Sequence, residues 1–249
     1  MQTLRRQKQV KKIDLPIAGF EKLSLIDWPG KLCSTLILPG CNFRCPYCNN
    51  GRLIFDYISL PIINEDEIIA TLHPRIGFLD GVCITGGEPL VHRELFAFLG
   101  RLKSIGAKVK LDTNGSYSKR LKALIMRKFV NYISMDVKVQ PERYQETFHF
   151  KITRSDIIES IQSIRRSGID YDFKTTMVPG LVTTEDLKDI VKLLAGSKRF
   201  VLQQFKPSET ISEDFIDIKP YSASEMEQFR DVASPYFGEV QLKLLKLKN

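Results

Sequence analysis

Short apolar β-type runs alternate with amphipathic helical segments along most of this chain, and this alternation constrains its fold most strongly. Such runs occur at residues 33–38, 81–85, 107–111, 132–137, 171–177, 200–205 and 240–247. Strands that alternate with helices form a parallel sheet with the helices outside, so we predict an α/β fold. Six or so units are too few for a closed eight-unit barrel. The expected architecture is therefore an open, partial (β/α)6 TIM-like barrel.

Two segments near the start of the chain lie outside this alternation. Residues 17–31 include Gly19, Pro29 and Gly30, which indicates a short N-terminal hairpin or loop before the first parallel strand. Residues 1–12 are polar, basic and without periodicity, so we expect a disordered tail there. Residues 13–249 are expected to form a single domain, since this length is ordinary for an α/β barrel.

The formal net charge of +8 lies at the two ends of the chain. Residues 1–12 and 241–249 contain only basic charges, and the body between them is formally neutral. Nucleic-acid-binding domains usually carry a basic stripe on the folded body. We therefore expect solvated tails and no nucleic-acid partner. The alternative is a contact between the N-terminal tail and RNA or an acidic protein.

The compartment is predicted from what the sequence does not contain. No apolar run is long enough to span a bilayer, so no membrane association is expected. The first residues contain no apolar core of the kind found in secretory signals. The five cysteines form no even disulfide framework, which indicates a reducing compartment. The expected location is the cytoplasm.

Three of the cysteines, Cys41, Cys45 and Cys48, lie close together in the spacing C-x3-C-x2-C. Thiolates this close can face one soft metal centre. A structural zinc site uses four protein ligands, and the chain has no second C-x2-C or His pair. Three thiolates suit a [4Fe–4S] cluster with one iron left open, because cysteine holds such clusters. Zinc, or a chance grouping of reduced thiols, is the alternative. Cys33 and Cys83 lie in predicted strands, where free cysteine packs as a small hydrophobe.

A glycine-rich motif follows the second predicted strand. Parallel α/β folds place their chemistry at the carboxyl ends of strands, and Gly86-Gly87-Glu88 lies at such an end. Two glycines let the backbone approach a ligand closely. Glu88 and an exposed carbonyl are then candidates to accept hydrogen bonds from an ammonium group. A simple turn is the alternative.

Charged and polar side chains follow the third and fourth predicted strands in the same way. Asp112-Thr113-Asn114 ends one strand, and Asp136 with Lys138 ends the next. A turn or a surface ion pair is the alternative at each place. Carboxylates at neighbouring strand ends can share a cation, because hard cations prefer oxygen ligands.

Together these motifs resemble those of the radical S-adenosylmethionine (SAM) enzymes. The resemblance rests on CNFRCPYCNN, TGGEPL, LDTNG and MDVK, and on the leading segment GFEKLSLIDWPGK. The chain is most similar to the activating enzymes of glycyl radical enzymes, and within them to the group that activates anaerobic ribonucleoside-triphosphate reductase. The resemblance implies a reduced cluster that cleaves SAM to methionine and a 5′-deoxyadenosyl radical. That radical would take a hydrogen atom from a glycine of the reductase.

The resemblance also implies roles for individual residues around SAM. The Gly86-Gly87-Glu88 turn would hold the methionine amino group. Other implied contacts to SAM are Asp112, Thr113, Asn114, Asp136 and Lys138. Tyr47 would lie near the adenine, with loop packing as its alternative. Asn49 stands where the family often has histidine, and Lys206 where a related branch has a histidine near the adenosine. The resemblance further implies a monovalent cation, for which the candidates are Asp112, Thr113 and Asp136.

Three functions are compatible with these features. The first is an activating enzyme with a glycyl radical protein as partner and a flavodoxin- or ferredoxin-type electron donor. The second is a radical SAM enzyme that modifies a small molecule or an RNA base. The third is a non-catalytic iron–sulfur electron-transfer module. The motifs at four strand ends disfavour the third, because an electron carrier needs no SAM pocket.

Overall fold

A single sheet organises the computed structural model, which describes residues 14–208 and 210–245. The expected tail at 1–12 and the end of the terminal run, residues 246 and 247, lie outside this part of the chain. Its strands in chain order are β1 (Gly19–Ser24), β2 (Cys33–Leu38), β3 (Gly81–Gly86), β4 (Val109–Thr113), β5 (Tyr132–Asp136), β6 (Asp170–Met177), β7 (Arg199–Gln204) and β8 (Glu239–Lys243).

The strands lie in the sheet in the same order as in the chain. β1 pairs with β2 in the antiparallel sense, and every later pair is parallel. Among the described residues β1 and β8 do not pair, so the sheet does not close. The predicted open, partial barrel of six β/α units with an N-terminal hairpin is therefore confirmed.

Helices connect the parallel strands. They are α1 (Gly51–Phe55), α2 (Glu65–Leu72), α3 (Leu95–Ser104), α4 (Ser118–Met126), α5 (Tyr144–Phe148), α6 (Arg154–Arg166), α7 (Thr184–Leu194) and α8 (Ala223–Ala233). Thr183 and Ser222 begin α7 and α8 with reciprocal capping boxes to Asp186 and Glu225. None of the described helices is long and apolar enough to cross a membrane.

The observed start of β4 differs from the start predicted from the sequence, because the residues before β4 still bond to the end of α3. The third parallel strand was expected to begin at Ala107, but β4 begins at Val109. The Ala107 N–H donates to the Leu102 carbonyl at 3.0 Å, so this residue still satisfies the end of α3. The Leu102 carbonyl near the end of α3 therefore takes the Ala107 N–H, which does not pair within the sheet, and β4 begins only at Val109.

The two faces of the sheet differ in chemistry because successive side chains point to opposite sides. The outer face packs against the helices and contributes Leu36, Ile84, Leu111, Ile133, Phe173 and Leu202 to the main core. The inner face carries polar and charged residues, among them Lys110, Asp112, Ser134, Asp172 and Lys174. A small cluster of Trp28, Cys33, Cys83 and Tyr132 fills the interior near the amino ends of the strands. Cys33 and Cys83 are fully buried there, as predicted.

Candidate cofactor site

A cavity of about 360 Å³ lies at the carboxyl edge of the parallel strands. Of the residues predicted for the site, the structure brings all except Glu88 to its wall: Cys41, Cys45, Tyr47, Cys48, Asn49, Gly86, Gly87, Asp112, Thr113, Asn114, Asp136, Lys138 and Lys206. The agreement follows from topology, because parallel strands in sequential order place their carboxyl ends side by side.

The cysteine loop is held by an aromatic anchor and by its own backbone. Phe43 is fully buried and stacks on Phe148 with ring centroids 5.3 Å apart. The Arg44 N–H donates to the Phe148 carbonyl at 3.0 Å, which ties the loop to the end of α5. The Cys48 N–H donates to the Cys45 carbonyl at 3.0 Å and closes a turn. The three thiols are thus carried by a loop that is anchored through Phe43, Arg44 and its own turn.

The thiols lie in a partly desolvated environment. Burial raises the pKa of Cys41 to about 11 and that of Cys45 to about 12, and the nearby Lys138 opposes both shifts. Thiolates are the form that binds metal, so a bound metal centre must supply the positive charge that stabilises them. Backbone N–H groups of Phe43 and Asn50 donate to the sulfurs of Cys41 and Cys48, each at 3.4 Å.

The donor set fits an iron–sulfur cluster better than a single ion. Within the described residues no three Cys, His, Asp or Glu side chains converge as ligands of one metal ion would. A cluster spreads its cysteine ligands over separate irons and therefore needs no such convergence. The Tyr47 hydroxyl beside the loop is the one buried polar side-chain atom of the described residues without a hydrogen-bond partner. A buried hydroxyl of this kind fits a site built to receive a polar ligand.

Glu88 has a different place from the one predicted. Its side chain is fully buried rather than exposed to a ligand. One carboxylate oxygen accepts from the Leu90 N–H at 3.0 Å and the Thr113 hydroxyl at 2.9 Å, and the other accepts from the Asn114 N–H at 2.6 Å. Burial raises the pKa of Glu88 to about 7, against these hydrogen bonds. The carboxylate therefore joins the ends of β3 and β4 beneath the cavity wall.

Replacing Glu88 with glutamine is expected to destabilise the fold. Both carboxylate oxygens accept from backbone N–H groups, and an amide can offer only one oxygen. Glu88→Gln therefore sets an NH2 group against a buried N–H donor. We expect the free energy of unfolding to fall by about 1–3 kcal/mol, measured by urea denaturation. Glu146→Gln, at an exposed position, is the control. Equal stability of both variants and the wild type would contradict this role.

Asn114 links the third strand end to the cysteine loop. Its side-chain N–H donates to Asn42 Oδ1 at 3.0 Å and lies 3.9 Å from the Cys41 sulfur. Its Oδ1 accepts from the Ser116 N–H at 2.9 Å. Asn114 is 5% exposed and thus positions the first cysteine from the side of β4.

The carboxylates predicted to hold a monovalent cation already have lysine partners. Asp112 accepts from Lys110 Nζ, and Lys174 Nζ lies 3.8 Å from the same oxygen. Asp136 Oδ2 lies 3.4 Å from Lys138 Nζ. Burial raises the pKa of Asp112, but Lys174 and Lys110 outweigh it, and the net shift is downward. These carboxylates do not form an open oxygen cage for a cation.

Three further predicted residues lie at the side of the cavity nearest the cysteine loop. Tyr47 is 6% exposed and makes edge contact with Phe205, with ring centroids 6.5 Å apart. Asn49 donates through its amide to the Lys206 carbonyl at 3.2 Å. The Lys206 side chain is exposed at the cavity wall. The loop after β7 and the cysteine loop therefore meet over the cavity.

Several cavity residues were not anticipated. The inner-face positions of the later strands supply Lys174, Thr176, Gln203 and Lys243, and the N-terminal hairpin supplies Asp27. The sequence carries a signal for them, because the alternate positions Asp172, Lys174 and Thr176 along β6 are polar.

Comparison with known proteins identifies the superfamily. The family model described as the radical SAM superfamily matches residues 35–194, which include the cysteine loop and the strand ends from β2 to β6. The chain belongs to the radical SAM superfamily. Membership implies a [4Fe–4S] cluster and SAM as cofactors of an iron–sulfur enzyme.

Among curated proteins, two relatives from Methanocaldococcus jannaschii are provisionally named glycyl-radical enzyme activating enzymes. One is 28% identical over 239 residues, covering 92% of this chain and 96% of its own. The other is 30% identical over 171 residues, covering 65% of this chain and 62% of its own. A GTP 3′,8-cyclase of Alkaliphilus metalliredigens is 31% identical over 61% of this chain and 49% of its own length.

Solved structures agree on the fold of this radical SAM protein. SuiB of Streptococcus suis bound to S-adenosylmethionine matches with a TM-score of 0.61 at 13% identity, covering 85% of this chain and 52% of SuiB. SuiB bound to its precursor peptide SuiA matches with a TM-score of 0.63 at 13% identity, covering 81% of this chain and 46% of SuiB. At this identity the likeness concerns the fold alone.

Proposed function

We propose that this radical SAM protein is a glycyl-radical-enzyme activating enzyme whose partner is an anaerobic ribonucleoside-triphosphate reductase. The observation that carries the proposal is the match to the first Methanocaldococcus jannaschii relative along 92% of this chain and 96% of the relative. The matches to enzymes named for small-molecule products cover much less of those enzymes. The electron donor in this proposal is a flavodoxin or ferredoxin of the cytoplasm.

The proposed chemistry divides between the cofactors and the chain. When bound, the cluster would supply one electron for the reductive cleavage of SAM to methionine and a 5′-deoxyadenosyl radical. The chain holds the cluster through Cys41, Cys45 and Cys48. Gly86 and Gly87 have no Cβ where the backbone of Leu38 and Gly40 lies, so they let the end of β3 pack closely against the cysteine loop. Asp136, Lys138 and Tyr47 line the same cavity and would supply polar groups to SAM.

The geometry supports a substrate carried on a protein loop. Among the described residues β1 and β8 do not pair, so the sheet around the cavity is not closed into a barrel. The wall on β6 to β8 offers Thr176, Gln203 and Lys243, which can hydrogen-bond the backbone of an extended peptide. A glycine has no side chain, so its Cα–H can come close to the bound 5′ carbon.

Hydrogen transfer from a partner glycine is the expected result that tests this proposal. The anaerobically reconstituted protein is reduced with dithionite and mixed with SAM and a reductase made with deuterated glycine. We expect a glycyl radical signal in EPR and deuterium in the 5′-deoxyadenosine, because the glycine Cα–D bond breaks and a C–D bond forms at the 5′ carbon. A reductase whose radical-site glycine is changed to alanine should give neither.

The second candidate, modification of a small molecule, is favoured by the partial match to a GTP 3′,8-cyclase. It predicts 5′-deoxyadenosine without a glycyl radical on any candidate protein, and hydrogen transfer from a small molecule instead. Absence of 5′-deoxyadenosine from a fully loaded cluster would contradict both enzymatic functions.

A further inference from the structure

All three groups predicted to hold a monovalent cation are engaged within the chain. Asp112 pairs with two lysines, and Asp136 lies beside Lys138. The Thr113 hydroxyl donates to Glu88 at 2.9 Å and accepts from the Gly115 N–H at 3.1 Å. The Asp112 and Thr113 oxygens are thus bound by groups of the chain, and one Asp136 oxygen has Lys138 as its partner. Within the described residues no acidic cluster replaces them.

Lys110 is placed as an internal counter-charge. It precedes Asp112 by two residues on β4, so both side chains point to the inner face. Its side chain is only 4% exposed, and it does not line the cavity, whereas Asp112 does. Besides the bond to Asp112, its Nζ lies 3.7 Å from the sulfur of Cys83. The ammonium thus approaches the Asp112 carboxylate from below, on the side away from the cavity.

The ion pair between Lys110 and Asp112 is favoured because Lys110 is buried. A buried ammonium without a partner is costly, and Asp112 is the only carboxylate among the described residues that forms an ion pair with Lys110. Lys174 adds a second positive charge at the same oxygen. Burial lowers the pKa of Lys174, but the carboxylates of Asp112, Asp136 and Asp172 raise it by more. The net shift is upward, so Lys174 stays charged. A potassium or sodium ion at Asp112 would be repelled by both ammonium groups.

We propose that the Lys110 ammonium permanently occupies the electrostatic role of the monovalent cation. It neutralises Asp112 from beneath, with Lys174 beside it, so that SAM, for which the resemblance implies a contact with Asp112, can bind there without an added ion. Lys110 is a positioning residue, because it acts on SAM through Asp112. The proposal rests on the SAM site of the proposed function and not on the identity of the protein partner.

The test measures SAM binding to the reconstituted wild-type protein in matched ionic strengths of potassium, sodium and tetramethylammonium chloride. Tetramethylammonium is too bulky to act as a small site-bound ion. We expect the three dissociation constants to agree within about twofold. Thermal unfolding of the cluster-free chain should likewise show no stabilisation specific to potassium or sodium. SAM binding about tenfold tighter in potassium or sodium would overturn the proposal.

A substitution at Lys110 is then expected to make SAM binding depend on an added potassium ion, a dependence that we do not expect in the wild-type protein. Lys110→Met keeps the length and removes the charge. In tetramethylammonium it should bind SAM about tenfold more weakly, and potassium should restore most of the loss. Lys110→Arg keeps the positive charge, so its affinity for SAM should stay the same in the three salts, as in the wild type. Lys108→Met, an exposed lysine on the same segment, is the control for the loss of one charge. A well-folded Lys110→Met with wild-type binding in tetramethylammonium would contradict the role of Lys110. No partner protein is present, so failure here is distinct from failure of the glycyl radical assay.

Discussion

Cys45→Ala is expected to abolish both cluster binding and SAM cleavage. Cys45 is 6% exposed and lies at the centre of the loop, where its carbonyl also accepts from the Cys48 N–H. With only two thiolates left, one more iron loses its protein ligand and the cluster is not retained. The measurement is iron and sulfide content after anaerobic reconstitution, followed by 5′-deoxyadenosine formation with dithionite and SAM. Both should fall to background.

Cys33→Ala is the matched control for this experiment. Cys33 is as deeply buried as Cys45 but lies at the amino end of β2, within the cluster of Trp28, Cys83 and Tyr132. Its replacement should cost some stability through a small cavity and leave iron content unchanged. A Cys45→Ala protein that keeps a full cluster and SAM cleavage would show that the ligand assignment is wrong.

Gly87→Ala is expected to disrupt the site through its backbone. A Cβ at this position would stand 2.6 Å from the carbonyl carbon of Gly40 and 3.2 Å from the Cβ of Cys41. The obstructing atoms of Gly40 are backbone and cannot rotate away. The turn and the loop are also joined by a hydrogen bond from the Glu88 N–H to the Gly40 carbonyl at 2.9 Å. A methyl group must therefore push the end of β3 away from Cys41.

We expect Gly87→Ala to lower the free energy of unfolding by about 1–3 kcal/mol and to reduce cluster content strongly. Urea denaturation and iron analysis measure the two effects. Gly100→Ala in α3 is the matched control, because nothing lies within 4 Å of its added Cβ. That change should stabilise the helix by roughly 0.5–1 kcal/mol. Wild-type stability and iron content in Gly87→Ala would refute the close-approach argument.

The elements of the fold were predictable because their signals are local. A serine followed three residues later by a glutamate, as at Ser222 and Glu225, is a local signal for a helix start, and the reciprocal cap is present at α8. The strands were recognised by composition, and their sequential parallel order follows from the helices between them. Ends such as that of β4 were less predictable, because Ala107 bonds to a helix carbonyl rather than to a neighbouring strand.

The contents of the site were predictable only in part. The motif residues at four strand ends, apart from Glu88, line one cavity, and their contacts with a cluster and SAM stay a prediction. Lys174 and Gln203 were missed, since they lie within strands and the motifs that were recognised lie at or after strand ends. Their alternation with apolar residues indicates an inner and an outer face, but it does not say which face encloses a cavity.

The sequence by itself determined which chemical groups this protein has and that they meet at one edge. The spacing of Cys41, Cys45 and Cys48 names the donors, and β–α alternation places each later motif at a strand end beside them. Only the tertiary structure decided which partner each charged side chain has. Glu88 turns away from the cavity to bind the β4 end, and Lys110 reaches Asp112 from below. Register, twist and burial set these pairings between distant segments, and a charged side chain acts according to its partner and its solvation.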